Sequence, residues 1–519
     1  MSRNIMLVLS VLGFLCVAGC GGGGGNGGGG GGSTSTITSV SVSCSPASIT
    51  TVQTSSCSAS VAGTGSYSSG VTWTATDGAI TSAGVFTPSA IGTATITATS
   101  TQDATKSGLA TVTVNSVTTA TLTWETSQIA GTSGSSGGNG VSLLGGNVLV
   151  SGTANGVNTT GTASNMILSY KSGDGTFNAP SYVSSPASIL SVGLWGITNT
   201  SDGNYALVAG VDPITSAGTT IGSDSGANLK FQNFCYGSAG QGMFVAVAMV
   251  GTGSYLGIDR NPNAGPAVVK ADADGKPDCS NNPPINLPIN TIGTMGFIAT
   301  TGRIGNITSD GSSLFVSGDA NVNGGSVSGW LLKTDLNGIV QKSLALANVS
   351  LPKTVIVNEG GTNYVYVIAT IWTATVTSYG TGKQWFYIDK YDMNLNRASG
   401  TWPQQWDGTI GTTAGGTVNY GNAMVANPGA AGGVVVVGQM TKLNLPVNNP
   451  DPNDGDCGIA AFGPTGTPLW QTRQGWSTAD ACNAAFTDPT TFSLYVAGIT
   501  TPATTSVPQV MAAKFALPR

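Results

Sequence analysis

The most informative chemical feature of the sequence is an absence, because none of its 519 residues is a histidine. A Ser-His-Asp triad, a Cys-His nucleophile and a histidine-ligated zinc site are therefore excluded, although paired carboxylates, Tyr or Lys can still support catalysis. Carboxylates gather in two places: Asp272 and Asp274 in KADADGKPD, and Asp451, Asp454 and Asp456 in DPNDGD. Either group offers oxygen ligands for Ca²⁺, but neither has the ligand spacing and final Glu of an EF-hand. Because Asp-Gly is also ordinary hairpin chemistry, we predict turns or surface loops at both places, and calcium binding stays open.

The cysteines favour an oxidising compartment. Two of the eight, Cys16 and Cys20, lie near the amino terminus, and an even number remains: Cys44, Cys57, Cys235, Cys279, Cys457 and Cys482. An even set suits disulfides, whereas metal binding is disfavoured by the lack of histidine and of any CxxC. Six cysteines permit many connectivities, so proximity alone suggests the pairs Cys44–Cys57, Cys235–Cys279 and Cys457–Cys482.

The amino-terminal segment has the pattern of an export signal. Arg3 supplies a positive charge, and the apolar run that follows is too short to span a bilayer comfortably. The run ends in Val17-Ala18-Gly19-Cys20, small residues before a cysteine, which resembles the lipobox of bacterial lipoproteins. This resemblance implies a cleaved signal peptide over residues 1–19 and a lipid on Cys20. The alternative is an ordinary secretory signal with an incidental cysteine.

The resemblance also bears on location. Gly21 provides no inner-membrane retention signal of the Asp type, so the resemblance implies a lipid-anchored protein of the outer membrane, with the bulk of the chain outside the cytoplasm. Residues 21–32 are almost pure glycine, and such a segment behaves as a flexible coil. We therefore expect residues 20–36 to form a tether, which is compatible with either a periplasmic orientation or exposure at the cell surface.

The bulk composition excludes several partners and favours strands. Only 8% of the residues are charged, the net charge is −5 and there is no basic run, which argues against nucleic acid and against a polybasic membrane surface. Glycine and β-branched residues are abundant, helix formers are scarce, and 40% of the residues are hydrophobic. This composition predicts an all-β protein with real cores.

Residues 37–116 are predicted to form a small β-sandwich. Short runs with a period of two alternate with turn signals, as in VTWTATDGAITSAGVFTPSAIGTATITATS. The VTW strand, the G-V-F-T turn and the closing G-T-A-T-I-T-A resemble the bacterial Ig-like domain, group 2. Members of that family usually serve as spacers or adhesive modules. Trp73 is expected to fill the interior rather than to contact a ligand.

The region 119–519 repeats itself. A turn followed by an apolar strand that ends near glycine recurs at 145–152, 202–210, 253–258, 310–318, 361–369, 432–438 and 491–498. A second strand follows each copy, at 165–171, 227–232, 266–272, 329–335, 384–392, 457–463 and 509–515. Seven copies roughly 55 residues apart suit four-stranded propeller blades. The missing outer strand of the last copy is found before the first, because Thr121–Thr126 resembles Pro468–Arg473. We therefore predict a seven-bladed β-propeller closed by strands from its two ends.

The repeat is loosely similar to SBBP-type propeller repeats. Two stacked β-sandwiches remain the alternative fold. A quinone-dependent propeller dehydrogenase would carry a repeated tryptophan-docking motif, which this sequence lacks, so we expect no cofactor. A glycosidase or lyase would need carboxylates, Tyr or Arg to converge in the central funnel, with Asp259, Arg260, Arg303 and Tyr391 as the candidates. Sugar stacking would use loop tryptophans, although packing between blades is the expected role of Trp195, Trp372, Trp402, Trp406 and Trp476.

Taken from the sequence alone, the first hypothesis is a surface-exposed, lipid-anchored binding or adhesion protein. The propeller would recognise an extracellular ligand, carbohydrate or envelope protein, and the Ig-like domain would act as a spacer. The alternatives are an extracellular carbohydrate-active or quinone-dependent enzyme and a structural component of the cell envelope. Several carboxylates converging in the central channel would favour an enzyme.

Overall fold

The computed structural model describes residues 34–518 with internal gaps, namely 51–53, 90–91, 116–118, 129–135, 156–162, 185–192, 212–217, 236–242, 260–264, 278–283, 294, 324–325, 373–383, 407–417, 430, 442–454, 476–479 and 503–506. The predicted signal peptide, Cys20 and nearly all of the predicted tether lie outside these residues. The described chain is nearly all-β, with strands joined by turns and loops, and its helical content is two 3₁₀ turns, Ile289–Thr291 and Ala299–Thr301. None of the described segments is a helix with the length and apolar character needed to cross a bilayer.

The smaller of two compact units consists mainly of residues 34–48, 55–87 and 93–113. It contains two four-stranded sheets of order β1-β3-β6-β5 and β2-β8-β7-β4. The strands are β1 Thr36–Ser45, β2 Ser48–Thr50, β3 Ser55–Thr64, β4 Val71–Ala75, β5 Gly78–Ile80, β6 Val85–Pro88, β7 Gly92–Ser100 and β8 Ser107–Asn115.

Period-two burial gives this unit its core. In β7, alternate residues are buried because successive side chains point to opposite faces. Ile37, Val40 and Val61 from one sheet pack with Ala98 from the other, and Trp73 packs against this cluster. A disulfide joins Cys44 to Cys57, which face each other across β1 and β3. Trp73 therefore contributes to the interior, as its position in a strand predicts.

The larger unit contains the residues from Val114 onward and, over its described part, seven four-stranded antiparallel sheets. We number them as the first to the seventh sheet. The first three are β10 Gly137–Leu144, β11 Asn147–Asn155, β12 Ala163–Lys171, β13 Phe177–Ser184; β14 Gly193–Asn199, β15 Ala206–Val211, β16 Gly218–Ser223, β17 Leu229–Cys235; and β18 Met243–Val250, β19 Gly253–Asp259, β20 Ala267–Ala271, β21 Ile285–Asn286.

The next three sheets have the same up-and-down order: β22 Arg303–Ser309, β23 Ser313–Asn321, β24 Val327–Asp335, β25 Val340–Leu346; β26 Val349–Glu359, β27 Thr362–Trp372, β28 Gln384–Asp392, β29 Gln404–Trp406; and β30 Val418–Ala426, β31 Val434–Thr441, β32 Gly455–Phe462, β33 Pro468–Gln474. The seventh combines β34 Asp480–Asp488, β35 Ser493–Thr500 and β36 Gln509–Ala516 with β9 Thr121–Gln128.

The first strands of the seven sheets form a closed ring. Each of β10, β14, β18, β22, β26 and β30 contacts the first strand of the next sheet, and β34 contacts β10. Sheets arranged radially around their first strands are the architecture of a β-propeller. The larger unit is therefore a β-propeller, and two separate stacked sandwiches are ruled out for it.

The ring closes through strands from the two ends of the propeller region. Strand β9 pairs antiparallel with β36, and Trp124 lies opposite Lys514. This is the pairing that the resemblance between residues 121–126 and 468–473 predicts. Because β9 covers the free edge of β36, the seventh sheet has the same four strands as the others, and an edge that would invite aggregation is removed.

Apolar contacts between neighbouring sheets stabilise the ring. The second strand of each sheet is covered on both faces, which explains its continuous apolar sequence; in β31, the run Val434–Val437 is fully buried. One sequence prediction is wrong. The sequence repeat predicts that residues 227–232 form the strand that follows the apolar strand at 202–210. In the structure, the short Gly218–Ser223 takes that third place, and Leu229–Cys235 is the fourth strand of the sheet. The segment GTTIGS is too polar and too rich in glycine to stand out as a strand.

A β-bulge interrupts the first strand of every sheet. The pairing shifts between Gly138 and Gly140, and equivalent shifts occur at the bulged residues Trp195, Val245, Gly305, Leu351-Pro352, Asn422 and Asn483. Bulges bend a strand and change the direction of a side chain. The same device thus recurs at one level of all seven first strands.

The bulges explain the glycine that ends the repeated apolar motif. In five sheets, the residue of the second strand that pairs with the start of the bulge is a glycine, namely Gly152, Gly210, Gly318, Gly438 and Gly498. A Cβ at Gly318 would overlap the carbonyl oxygen of Arg303, and Gly438 and Gly498 have the same relation to Tyr420 and Ala481. Two sheets lack the glycine. The third has Ile258 at this place, and the fifth has Thr370 and a longer bulge, in which Leu351 has a φ of 43°.

Candidate functional site

The seven first strands converge on one central cavity of about 470 Å³. Every one of them contributes to its wall: Asn139 from β10, Trp195 from β14, Met243 and Val245 from β18, Arg303, Ile304 and Gly305 from β22, Leu351 and Lys353 from β26, Asn422 from β30 and Asn483 from β34, with Asp259 at the end of β19. Seven of these are bulged residues, one from each first strand, so the bulges place much of the lining. The volume lies within the range of small-molecule sites, roughly 300–1,000 Å³.

One arc of the cavity wall, on β19, β22 and β26, carries the charged groups. Arg303 binds Asp319 through two bonds, Nε to Oδ1 at 3.0 Å and Nη2 to Oδ2 at 2.8 Å. Asp319 is only 1% exposed and also accepts bonds from Ser350 Oγ and from the backbone N–H of Leu351. This fork fixes Arg303 at the cavity and ties the bulge of β26 to the fourth sheet.

Asp259 is the carboxylate among the described lining residues. Its Oδ1 accepts the backbone N–H of Ile304 at 2.6 Å, which links the third sheet to the fourth. Burial raises the pKa of Asp259 to about 7, and it outweighs the opposing effects of this hydrogen bond and of Arg303. The carboxyl group therefore changes charge near neutral pH.

The raised pKa of Asp259 predicts a pH-dependent stability. Between about pH 4 and pH 7 the folded state keeps a proton that the unfolded state has released, so the free energy of unfolding falls as the pH rises, by up to about 1.4 kcal/mol per unit. In Asp259→Asn this loss is absent, and the amide oxygen can still accept the Ile304 N–H. Urea unfolding of both proteins from pH 4 to pH 8 measures the effect. A difference that stays constant with pH would contradict it.

Lys353 is the second titratable lining group. Desolvation lowers the pKa of its ammonium group to about 8. No carboxylate oxygen among the described residues lies within 4.0 Å of Lys353 Nζ, whereas Lys230, Lys390, Arg303, Arg397 and Arg473 all have such a partner. The cavity wall therefore holds a cation that the described protein groups do not neutralise.

The opposite arc is lined by asparagines from three successive sheets. Asn422 Nδ2 donates to the carbonyl of Cys482 at 2.9 Å, and Asn483 Nδ2 donates to the carbonyl of Gly138 at 3.1 Å. Each amide thus bridges its own bulge to the bulge of the next sheet. Asn422 Nδ2 also donates to Asn483 Oδ1 at 3.3 Å, so the two amides are linked to each other. An amide oxygen has two lone pairs, so the Oδ1 atoms of Asn422 and Asn483 keep capacity to accept a further hydrogen bond.

The structure separates the sequence candidates for catalysis. Asp259 and Arg303 lie at the cavity, Arg260 falls outside the described residues, and Tyr391 lies elsewhere. Tyr391 donates its hydroxyl to Asp389 Oδ2 at 2.5 Å, and the same buried oxygen accepts Tyr387 and Arg397. Tyr391 therefore belongs to a hydrogen-bond network of the fifth sheet.

The tryptophans have two roles. Trp406 packs edge-on against Phe386, with ring centroids 4.9 Å apart, and Trp402 packs in the same way against Tyr366. Both are buried in the apolar layer between the fifth and sixth sheets, as predicted. For Trp195 the prediction of inter-blade packing is wrong, because its bulge places this half-buried side chain at the cavity. Nothing is described of the side chains of Trp372 and Trp476.

The acidic clusters behave as turns where they are described. Asp272 Oδ1 accepts the backbone N–H groups of Asp274 and Lys276, which closes a hairpin turn, and the carboxylates at 224, 335 and 392 do the same. Asp456 is buried and paired with Arg473, while Asp451 and Asp454 lie outside the described residues. No group of three or more potential ligands for a metal occurs in the described part of the chain.

A second disulfide lies beside the cavity. Cys457 of β32 is joined to Cys482 of β34, so the bond connects the sixth and seventh sheets directly next to Asn483. Both described disulfides are those suggested by proximity. The proposed Cys235–Cys279 pair lies outside the described residues, because Cys279 is not among them and nothing is described of the Cys235 side chain.

Sequence reasoning missed Lys353 and the three asparagines. Their first strands are short of continuous apolar residues and were not recognised as repeats. One signal was present: a small residue followed by Asn recurs as Gly138-Asn139, Gly421-Asn422 and Cys482-Asn483. This dipeptide occurs at three of the seven bulges, but it also occurs in turns, as in Gly146-Asn147 and Gly203-Asn204.

Comparison with known proteins gives fold-level likeness at low identity. No protein-family model matches the chain, and no curated protein matches it in sequence. The β-propeller domain of Cps50 (Swd1) from Myceliophteria thermophila is 10% identical over 75% of this chain and 99% of that chain, with a TM-score of 0.41. U3-55K is 8% identical over 75% and 98%, with a TM-score of 0.43. The quinohemoprotein alcohol dehydrogenase ADHIIG from Pseudomonas putida HK5 is 10% identical over 77% and 76%, with a TM-score of 0.37. The chain is similar to these proteins, and its own sheet topology carries the fold.

Proposed function

We propose that the chain is an exported, lipid-anchored binding protein whose propeller holds a carbohydrate ligand in the central cavity. The observation that carries this proposal is the convergence of all seven first strands on one cavity lined by amide, indole and cationic side chains. Side chains on strands of a closed ring are held more rigidly than side chains on loops, which favours preorganised recognition.

The parts of the chain have separate roles in this proposal. We assign the seven sheets as the blades of a seven-bladed propeller, closed by β9 and β36. The two sheets of the smaller unit are assigned as an Ig-like domain that acts as a spacer. The lipobox resemblance supports a lipid on Cys20 and an outer-membrane location, followed by the glycine tether.

The cavity chemistry suits a sugar. The NH₂ groups of Asn422 and Asn483 donate to backbone carbonyls, and the amide oxygens keep acceptor capacity that matches the hydroxyl groups of a saccharide. Trp195 offers an apolar surface against which the C–H groups of a pyranose ring can pack. Sites for small ligands typically combine an apolar surface with a small number of polar groups that orient the ligand.

Binding is favoured over hydrolysis by the composition of the wall. A glycosidase of the usual type needs two carboxyl groups on either side of the scissile bond. The described lining residues include one carboxylate, Asp259, and the buried Asp319 is already engaged by Arg303. We therefore place the enzyme and the purely structural envelope component second.

The test is a glycan array probed with the full-length lipidated chain in detergent micelles. The wild-type protein is expected to bind at least one class of saccharide on the array. Trp195→Ala is expected to weaken that binding about tenfold or more, because the stacking surface is lost. Trp406→Phe, in the buried layer between sheets, is the matched control and should bind as wild type does. The proposal would be overturned if the wild-type protein bound no glycan on the array, or if it hydrolysed a polysaccharide.

A further inference from the structure

The cavity wall is chemically asymmetric. Lys353 stands on β26 of the fifth sheet, while the asparagines follow in the sixth, seventh and first sheets, Asn422 being the neighbour in the ring. One side of the cavity therefore offers a cation and the other side offers neutral acceptors. A ligand that satisfies both sides needs an anionic group at one end and hydroxyl groups at the other.

None of the described charged groups around Lys353 neutralises the charge of its ammonium group. Arg303 on the adjacent β22 is held by Asp319 through a two-bond fork, so those two charges neutralise each other. The pKa of Asp259 is raised to about 7, so its carboxyl group carries only part of a negative charge at neutral pH. A desolvated ammonium without a partner is costly, and a ligand carboxylate would offset that cost.

We propose that the central cavity selects an acidic sugar, with the ligand carboxylate pairing with Lys353 and its hydroxyl groups donating to the asparagine side of the wall. This proposal rests on the proposed carbohydrate-binding function and adds the ligand class. The cavity of about 470 Å³ accommodates a sugar of one or two residues rather than a long chain. A free uronic acid and the end of an acidic polysaccharide share this chemistry.

Isothermal titration calorimetry with the full-length chain tests the ligand class, with glucuronate and glucose as probes. We expect glucuronate to bind about tenfold or more tightly than glucose at pH 7. Lys353→Met should remove this preference and leave the affinity for glucose within about twofold, because it removes only the charge. Lys342→Met, at an exposed position of β25, is the matched control and should keep the preference.

A proton-linked readout separates charge pairing from a structural role. At pH 8 the Lys353 ammonium is partly deprotonated, so pairing with glucuronate should draw a proton from the buffer. The calorimetric enthalpy should therefore vary with the ionisation enthalpy of the buffer, and the part due to Lys353 should disappear in Lys353→Met. A tetra-uronide probe added to the same series distinguishes recognition of a free sugar from recognition of a polymer end. The proposal is supported if glucuronate or the tetra-uronide binds more tightly than its own neutral analogue.

The outcomes distinguish the two proposals. Equal binding of glucose and glucuronate, with both lost in Trp195→Ala, would overturn the acidic-sugar proposal and leave the binding function in place. Preference for glucuronate that persists in Lys353→Met would also overturn it. A wild-type protein that binds no glycan on the array overturns the carbohydrate-binding function itself, and the acidic-sugar proposal falls with it.

Discussion

Replacing Gly318 with alanine is expected to lower the free energy of unfolding of the propeller by about 3 kcal/mol or more. The new methyl group would overlap the carbonyl oxygen of Arg303 and the fully buried indole of Trp330, and neither can move without disturbing the bulge or the core. Overpacking a rigid core usually costs about 1–3 kcal/mol, and here backbone must also shift. Urea unfolding followed by tryptophan fluorescence measures the change.

Gly173→Ala is the matched control for this experiment. Gly173 lies in an exposed turn, and a Cβ there would meet no atom within 4 Å. We expect this variant to unfold within about 0.5 kcal/mol of wild type. If Gly318→Ala were as stable as this control, the repeated glycine would not be required by the bulge, and our explanation of the sequence motif would fail.

The second large effect is expected at Asp319. This buried carboxylate accepts four hydrogen bonds, two of them from Arg303, so Asp319→Ala leaves an arginine and two further donors without their acceptor. Breaking a buried charge pair on one side typically costs about 3–5 kcal/mol, and the half-exposed Arg303 places the expected loss near the lower end. Denaturant unfolding at pH 7 gives the value.

A double-mutant cycle with Arg303→Met shows whether the pair is responsible. The double variant should lose less stability than the two single variants together, with a coupling of about 1–3 kcal/mol, because Asp319 and Arg303 contact each other directly. Asp174→Ala, at an exposed turn carboxylate, serves as the control and should lose much less stability than Asp319→Ala. Strict additivity of the Arg303 and Asp319 changes would contradict the assigned role.

The repeated second strands were predictable from sequence because they are covered on both faces. Burial on both faces requires continuous apolar residues, as in Val434–Val437, and glycine at a fixed place because of the bulge. The closing pair β9–β36 was predictable for the related reason that an outer strand has a recognisable composition, shared by residues 121–126 and 468–473.

The cavity was much harder to predict from sequence. Its wall combines one bulged residue from each sheet with a few neighbouring residues, and these contributions are separated in the chain by roughly a blade length. Nothing in the local sequence of Lys353 or Trp195 differs from that of an ordinary strand residue, and a bulge cannot be recognised from hydrophobic periodicity alone. Asp259 and Arg303 were named as candidates by residue type, but only the ring brings them together.

The pairing of β9 with β36 also sets an order on folding. The two strands are roughly 390 residues apart in the chain, so the closing sheet joins some of the most distant segments of the protein. In a chain synthesised from its amino terminus, β9 emerges early, and that strand has no partner until the carboxyl-terminal residues arrive. A product truncated before Gln509 lacks β36, so its ring cannot close and β9 has no partner strand. The open sheet edge is then available to proteases and to other unfinished chains.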